Sequence, residues 1–285
     1  MSDYIVVGVD GSESALAATR WAAREAALRD ADLRLVHVRQ LPLLLPPSDL
    51  YTWELTDQGN KWLGAARDAA LTVAPGMDVH TQLRTGGPGE ELVAETEDAG
   101  LVVVGSRGLG GFRSLLLGSV ANVLTAHAHC PVVVCRGGPA VDGPVVVGAD
   151  GTPSSAAAVE FALAAAAARD TEVIAVHAWT YEGLAAAWPP LLALVDWDQV
   201  ADAHRHLFDE QLAALRGTYP DVGVRGVQFR GRPVDGILER AEHAQLVVVG
   251  ANGRHPALAG AVGSTSYAVL HHVTCPVAVV RGQPS

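Results

Sequence analysis

The chain of 285 residues carries a formal net charge of −11, and 49% of its residues are hydrophobic and 18% charged. This length allows two domains that each bury a core, and this composition is typical of a folded globular protein and excludes a disordered one. The acidic balance argues against a nucleic-acid surface, and the single lysine, Lys61, excludes a P-loop nucleoside triphosphatase because no Gly-Lys-Ser/Thr motif exists.

Strand and helix patterns alternate through the first half of the chain. Short apolar runs rich in β-branched residues predict strands at residues 4–9, 33–39, 78–84, 101–104 and 132–135. Segments with helical spacing lie between them, at residues 14–28, 52–73, 88–99 and 118–127. Ser12 is the predicted N-cap of the first helix, and the prolines in 40–49 predict a loop. This alternation predicts a doubly wound parallel sheet, of strand order 3-2-1-4-5, with helices on both faces.

The same pattern restarts after a linker, residues 137–144, that is rich in glycine and proline. The second half repeats Val-Gly-Val-Asp-Gly-Ser as Val-Gly-Ala-Asp-Gly-Thr at an offset of 140. From Pro88 onward the offset is 145, which places five additional residues in the loop at 181–196. The chain is therefore predicted to be a duplication, with one domain at 1–137 and the other at 144–285.

A glycine motif is the most informative part of each half. Gly-x2-Gly-x9-Gly-Ser follows a Leu-Val-Val-Val run twice, as Gly105, Gly108, Gly118 and Ser119 and again as Gly250, Gly253, Gly263 and Ser264. Glycine lets a ligand approach the main chain closely, and a Gly-Ser at a helix start offers free N–H groups at the positive end of the helix dipole. Phosphate is the natural occupant, and a tight strand-to-helix turn without a ligand is the alternative. The duplication favours the phosphate loop.

The predicted topology locates the site independently. In an open parallel sheet, ligands bind at the carboxyl ends of the strands where the winding direction reverses, which is between strands 1 and 4 here. Asp10 follows strand 1 and Gly105 follows strand 4, so we expect both to face one cleft, and Asp150 with Gly250 to face another. Beside a phosphate loop, an aspartate contacts ribose or a bridging Mg²⁺, or else caps the first helix or its turn; the sequence leaves these roles open.

These motifs resemble the universal stress protein family, and the resemblance covers both halves of the chain. It is carried by the Asp-containing turns quoted above, by Val-His-Val and Val-His-Ala in the second strands, and by the family's ATP-binding signature Gly-x2-Gly-x9-Gly-Ser in both copies. The resemblance implies two tandem doubly wound α/β domains with open five-stranded parallel sheets, similar to the adenine nucleotide α-hydrolases, and one ATP in each domain.

The resemblance also implies the residues of each site. Adenine is expected against the backbone of Val38 and Ala178, and the ribose or Mg²⁺ near Asp10 and Asp150. The implied cofactor-binding residues of the first half are Gly8, Val9, Asp10, Val38, Gly105, Arg107, Gly108, Gly118, Ser119 and Val120. Those of the second half are Gly148, Ala149, Asp150, Ala178, Gly250, Asn252, Gly253, Gly263, Ser264 and Thr265.

The two predicted sites differ in charge. Asn252 replaces Arg107, which removes a cation from the second phosphate site, and Arg254 is a candidate for restoring it. Pro256 stiffens the second loop. We therefore expect the first site to bind ATP at least as tightly as the second.

The resemblance implies a nucleotide-dependent regulatory or stress-response protein, and the residues favour this over a fast enzyme. No lysine, arginine-finger signature or pair of carboxylates accompanies the predicted site. Slow ATP hydrolysis, or autophosphorylation of a loop serine such as Ser114, is one alternative, and a nucleotide-free interaction scaffold is another. An adenylating enzyme would need a substrate domain, for which no residues are left, and a Rossmann dehydrogenase would need Gly-x-Gly-x-x-Gly after strand 1.

Further features concern location and partners. The chain starts without a signal-peptide pattern, and no run approaches the roughly 20 apolar residues of a spanning helix, so we expect a cytoplasmic protein without membrane contact. The three cysteines and neighbouring histidines lack zinc spacing, and histidines near a helix end favour dipole interactions over a metal. The final strands, 132–135 and 277–280, are expected to pair within the chain as a pseudo-dimer, while a homodimer of chains and an unknown protein partner stay open.

Overall fold

A computed structural model gives the fold, and the structure describes residues 4–41, 49–109, 117–137, 142–179, 196–253 and 262–282. Strands and helices alternate through both halves of the chain. The first half contains β1 (Tyr4–Gly8), α1 (Glu13–Arg29), β2 (Asp32–Arg39), α2 (Asp49–Val73), β3 (Val79–Thr85), α3 (Pro88–Glu95), β4 (Leu101–Gly105), α4 (Ser119–His127) and β5 (Val132–Cys135). The second contains β6 (Val145–Gly148), α5 (Pro153–Ala168), β7 (Val173–Trp179), α6 (Trp197–Arg216), β8 (Val224–Arg230), α7 (Pro233–Ala241), β9 (Leu246–Gly250), α8 (Ser264–His272) and β10 (Val277–Val280).

The ten strands of the described residues form one sheet in the order β3-β2-β1-β4-β5-β10-β9-β6-β7-β8. Within each half the neighbouring strands are parallel, so the predicted order 3-2-1-4-5 is confirmed twice. The halves meet where β5 and β10 pair antiparallel, with Val134 opposite Val277 and Val132 opposite Val279. The two predicted five-stranded sheets are thus joined into one, through the final strands that were expected to pair.

The core lies on both faces of this sheet. Ile5 and Val7 of β1 pack into a cluster with α1, α2, α5 and α6, whereas Val6 packs into a second cluster with α3, α4, α7 and α8. A parallel strand covered on both sides needs apolar residues at every position rather than at alternate ones. This explains the continuous Leu-Val-Val-Val runs of β4 and β9, whose four apolar residues are buried in each case.

Pseudo-equivalent signals set the ends of the first helix in each half. The hydroxyls of Ser12 and Thr152 cap α1 and α5 by accepting from the amide three residues ahead, at 3.1 and 3.2 Å. Both helices end before an aspartate with a left-handed backbone, Asp30 (φ 53°) and Asp170 (φ 50°). The predicted N-cap at Ser12 is therefore confirmed.

The structure differs from the sequence-based prediction mainly at helix ends. Helix α3 ends at Glu95 rather than at residue 99, because the amide of Thr96 bonds back to the carbonyl of Val93 at 3.0 Å and tightens the last turn. Helix α2 begins at Asp49, three residues before the predicted start. The additional residues expected at 181–196 lie outside the described residues, apart from Asp196.

On the side of the sheet covered by α1 and α5, one buried carboxylate serves both halves. Glu25 is 1% exposed, and Arg29 Nε donates to its Oε1 at 2.6 Å. The other carboxylate oxygen forms an ion pair with Arg169 of the second half. Each guanidinium also faces an aromatic ring of the other half, with Arg29 5.1 Å from the centre of the Phe161 ring and Arg169 5.9 Å from that of Trp21. Charge and ring contacts therefore join the halves beside the strand junction.

In the part of the chain that the structure describes, no helix combines the length and the apolar character needed to cross a membrane.

Candidate functional site

A cavity opens at the carboxyl ends of the strands in each half, at the point where the winding direction reverses. The first has a volume of about 440 Å³ and the second about 480 Å³, which is within the range of small-molecule sites. The first lies between β1 and β4, with walls from β2, α2, α3 and α4. The second lies at the equivalent place between β6 and β9.

All the residues implied for each site line the corresponding cavity. Those around the first are Gly8, Val9, Asp10, Val38, Gly105, Arg107, Gly108, Gly118, Ser119 and Val120. Those around the second are Gly148, Ala149, Asp150, Ala178, Gly250, Asn252, Gly253, Gly263, Ser264 and Thr265. The fold therefore brings together groups that lie about a hundred positions apart in the sequence.

Each cavity contains the uncapped start of a helix. Gly118 and Gly263 occupy the N-cap positions of α4 and α8, and neither provides a side-chain cap. Their own amides are used, because they donate to the carbonyls of Ser106 and Ala251, both at 2.8 Å. The next amides, starting at Ser119 in the first half, are among the helical N–H groups that have no partner within the helix. Such a helix start is suited to an anion.

Close packing in the first half requires one glycine of the motif, which lies against backbone, and places another beside the end of a side chain. A Cβ at Gly105 would lie 2.8 Å from the backbone carbon of Ser14, and one at Gly108 would lie 2.3 Å from Asp10 Oδ2. Gly250 repeats the first contact, at 3.1 Å from the backbone carbon of Ser154. The motif thus positions α1 and α5 against the sheet as well as shaping the cavity.

Asp10 ties the turn after β1 to the glycine loop. Its Oδ1 accepts from the amide and the hydroxyl of Ser12, at 3.0 and 2.6 Å, and its Oδ2 accepts from the amide of Leu109 at 3.0 Å. Asp150 accepts from the amide and hydroxyl of Thr152 in the same way, at 3.0 and 2.7 Å. Of the roles left open by the sequence, the turn cap is therefore present in both halves.

The inner wall of the first cavity contains an aromatic pair, His37 and Trp62; the sequence indicated a core or cleft-wall role for His37 but not the contribution of Trp62. His37 Nδ1 lies 2.7 Å from the carbonyl of Val9, and because a carbonyl only accepts, Nδ1 carries the proton. The ring of Trp62 packs edge-on against His37, with 5.0 Å between centroids, and both rings line the cavity. In the second half, His177 makes the equivalent bond to Ala149 at 2.8 Å and stacks on Phe208.

Charge differs between the two cavities as the sequence indicates. Arg107 lines the first cavity and is exposed, and the neutral Asn252 stands at the equivalent position of the second. Arg254, Pro256 and Ser114 lie outside the described residues. Trp179, which is close to Ala178 in sequence, is 8% exposed and lies under Arg230, so it packs in the interior rather than facing the cavity.

The histidines and cysteines near the ends of α4 and α8 form no cluster suited to a metal. Among the described residues, no group of three or more His, Cys, Asp or Glu side chains has that arrangement. Burial raises the pKa of the Cys130 and Cys275 thiols to about 12, so both are protonated and poor metal ligands near neutral pH.

Comparison with known proteins assigns the chain to a family. The sequence model of the universal stress protein family matches residues 1–136 and again residues 143–281. The chain belongs to the universal stress protein family. It is 36% identical over 292 residues to a universal stress protein of Mycobacterium tuberculosis, with 97% of this chain and 96% of the relative covered. Identity to one from Mycolicibacterium smegmatis is 37% over 288 residues, with the same shares covered.

The fold of this universal stress protein is also shared with a solved structure. A crystal structure of a universal stress protein from Archaeoglobus fulgidus superposes with a TM-score of 0.75, at 20% sequence identity, and covers 98% of this chain and 96% of that one. At this identity the likeness concerns the fold. Because the family model matches twice, the universal stress protein unit occurs here in tandem, and each match contains one of the two cavities described above.

Proposed function

We propose that this universal stress protein is an ATP-dependent regulatory module of the stress response, with one ATP site in each half, and with the halves bounded at 1–137 and 144–285. One observation carries the proposal. In both halves the glycine loop, the uncapped start of a helix and the aspartate after the first strand line a single cavity at the topological switch point. A strand-to-helix turn that binds no ligand would not require these three features to line the same cavity in both halves.

Each part of ATP has a matching group in the first cavity. The adenine is proposed to lie against the backbone near Val38, and the ribose beside Asp10. The phosphates are proposed to accept from the amides at the start of α4, Ser119 and Val120, with Arg107 adding positive charge. The second cavity offers the same groups except the arginine.

Mg²⁺ is proposed to accompany the nucleotide. Mg²⁺ binds through one or two carboxylates together with substrate phosphates, and Asp10 and Asp150 are the carboxylates that line the cavities. The three hydrogen bonds accepted by Asp10 hold the carboxylate at the mouth of the loop and leave lone pairs on its oxygens. Mg²⁺ there would neutralise repulsion between this carboxylate and the phosphates.

A regulatory role fits the first cavity better than fast hydrolysis does. The single lysine, Lys61, is not placed to assist phosphate transfer, because its side chain is 66% exposed and forms an ion pair with Asp57 on the surface of α2. No second carboxylate accompanies Asp10 among the described residues that line the cavity. Incubation with labelled ATP, followed by measurement of released phosphate and of phosphoprotein, separates slow hydrolysis and autophosphorylation from simple binding.

A cytoplasmic location and a homodimer of chains are further parts of the proposal. The three cysteines are buried and free, which suits a reducing compartment.

The outer strands β3 and β8 have no further strand beside them in the described sheet, and pairing of such edges would join two chains. Sedimentation velocity of the purified chain tests the dimer.

Calorimetric titration with Mg-ATP tests the central proposal. The unchanged chain is expected to bind two ATP molecules, with the tighter one in the first cavity because of Arg107. Gly118→Asp places a carboxylate at the start of α4 and should remove the tighter site, whereas Gly263→Asp should remove the weaker one. A chain that binds no ATP contradicts the proposal, and a Gly118→Asp variant that keeps the tighter site contradicts the ranking. Mass spectrometry of co-purifying small molecules gives an independent check.

A further inference from the structure

Two arginines connect the two halves near the cavities, and each donates hydrogen bonds to a helix of the other half. Arg136 follows β5 of the first half, and its guanidinium donates to the carbonyl of Leu270, near the end of α8 in the second half. Arg281 follows β10 at the equivalent position and donates to the carbonyls of Thr125, at 2.8 Å, and Ala126, near the end of α4. Each helix that starts at one cavity is therefore bound near its far end by an arginine of the other half.

Each arginine is also anchored beside the cavity of its own half. The amide of Ser106, in the first glycine loop, donates at 3.0 Å to the carbonyl of Cys135, the residue before Arg136. The amide of Ala251, in the second loop, donates at 2.7 Å to the carbonyl of Val280, directly before Arg281. A hydrogen bond from each glycine loop to the end of a strand, the peptide bond to the arginine that follows, and the hydrogen bond of that arginine thus link each loop to the helix of the opposite cavity.

Charge distinguishes the two paths. Burial, and then the positive charge of Arg107, lowers the pKa of the Arg136 guanidinium. Asn252 is neutral at the position equivalent to Arg107, and burial is what lowers the pKa of Arg281. A cation at the C-terminal end of a helix stabilises that helix. The hydrogen bond between Ser106 and Cys135 brings the residues that follow them, Arg107 and Arg136, close to each other, and a bound phosphate would neutralise the charge of Arg107.

We propose that ATP binds to the two cavities with positive cooperativity, and that Arg136 carries the coupling from the first cavity through α8 to the second. This rests on the proposed binding of ATP. Phosphates beside Arg107 remove its repulsion of Arg136, which then interacts more strongly with the carbonyl of Leu270. Helix α8 is stabilised, and its first amides, after Gly263, are held in position for the second triphosphate. Because coupling between equilibrium affinities is reciprocal, ATP in the second cavity raises the affinity of the first by the same factor.

The size of the coupling follows from the interaction that carries it. A cation at a helix C-terminus changes an equilibrium constant by about two- to fivefold. The expected cooperativity is therefore two- to fivefold in affinity, and it depends on the charge of Arg136.

A double-mutant cycle tests this on the full chain. Trp62 lines the first cavity, so a change in its fluorescence reports ATP bound there. The Trp62→Phe variant gives the signal of the other tryptophans, which is subtracted. Gly263→Val obstructs the second cavity without adding a charge that imitates phosphate. A Cβ at this position would lie 3.4 Å from its nearest neighbours, so the first carbon of the new side chain fits without displacing the backbone, and the melting temperature of the variant checks that it is folded.

The expected result is a loss of coupling that is specific to one arginine. In the otherwise unchanged chain, Gly263→Val should weaken ATP binding at the first cavity two- to fivefold. In the Arg136→Gln background, Gly263→Val should leave that affinity unchanged. The matched control Arg281→Gln should retain most of the effect, because Asn252, at the position equivalent to Arg107, carries no charge. Arg136→Met, which keeps the apolar stem, repeats the test with a second neutral side chain.

The outcomes separate the coupling from the function on which it rests. If ATP binds at the first cavity and Gly263→Val has no effect there, or has an equal effect with and without Arg136, the coupling is wrong and the proposed function stands. A larger loss of coupling in Arg281→Gln than in Arg136→Gln also overturns it. If the unchanged chain binds no ATP by fluorescence and equilibrium dialysis, the proposed function and the coupling are both wrong. Melting temperatures without ATP show that each variant is folded.

Discussion

At the scale of single residues, the glycines of the repeated motif have two separable roles, packing and access to a ligand. A Cβ at Gly105 would lie 2.8 and 2.9 Å from backbone atoms of Ser14, whereas one at Gly118 would meet nothing closer than 3.5 Å. Gly105→Ala is expected to lower the free energy of unfolding by about 1–3 kcal/mol, because α1 must move away from β4. Gly118→Ala is expected to cost about 0.5 kcal/mol, since alanine is a poor N-cap, and to weaken ATP binding instead. Denaturant unfolding and calorimetry measure the two effects.

Gly64 is the control for that comparison. It lies on the exposed face of α2, and nothing lies within 4 Å of the position of a Cβ. Gly64→Ala should therefore raise the free energy of unfolding by about 0.5–1 kcal/mol, through helix propensity alone. Equal destabilisation by the substitutions at Gly105 and Gly118 would contradict the assignment of different roles.

The buried thiols make stability depend on pH in the alkaline range. Burial raises the pKa of Cys130 and Cys275 from 9.0 to about 12 in the folded chain. A thiol whose folded pKa is above its unfolded pKa contributes stability that is complete below the unfolded value and is lost as pH rises toward the folded value. We expect the free energy of unfolding to fall between pH 9 and 12, by about 1.4 kcal/mol per pH unit for each such thiol. Denaturant titrations of Cys130→Ala/Cys275→Ala should show a shallower fall, and an unchanged slope would contradict this.

At the scale of elements, the predictable features are those with a local chemical signal. Ser12 identifies the start of α1, and the continuous apolar runs of β4 and β9 indicate strands buried on both faces. The repeated glycine motif predicted which strand ends would form the cavities. The contribution of Trp62 could not be predicted in this way, because the rotation of α2 over β2 depends on packing between distant segments.

The caps of the first helix in each half should contribute equally, since they are pseudo-equivalent. Ser12 and Thr152 accept from an amide of their helix and donate to Asp10 and Asp150, respectively. Ser12→Ala and Thr152→Ala should each lower the free energy of unfolding by about 1 kcal/mol. The caps belong to separate helices and share no hydrogen-bond partner, so the double variant should show the sum within about 0.5 kcal/mol. A double variant no less stable than either single one would mean that one cap makes no contribution.

At the scale of the whole molecule, the antiparallel contact of β5 and β10 converts two open sheets into one and removes an exposed edge from each half. The same pseudo-two-fold relation places Arg29 opposite Arg169 and Trp21 opposite Phe161, since each pair is separated by the offset of 140 found in the sequence. Glu25 breaks this relation, because its counterpart is an alanine. One carboxylate therefore balances two guanidinium groups at the centre of the chain.

This asymmetry predicts both a loss and a rescue of stability. Glu25→Ala leaves two arginines without their common partner, and since Glu25 is 1% exposed and the Arg169 side chain 9%, solvent replaces little of the lost interaction. The free energy of unfolding should fall by about 3–5 kcal/mol. The double variant Glu25→Ala/Ala165→Glu moves the carboxylate to the pseudo-equivalent position and should restore much of the lost stability. Ala165 lies one helical turn before Arg169, as Glu25 does before Arg29, so a glutamate there can contact the same two arginines. Ala165→Glu alone should destabilise the chain, since two buried carboxylates would then repel each other across the axis. Chemical denaturation of the unchanged chain, the two single variants and the double variant measures these differences. A double variant no more stable than Glu25→Ala would show that the carboxylate acts within the first half rather than between the halves.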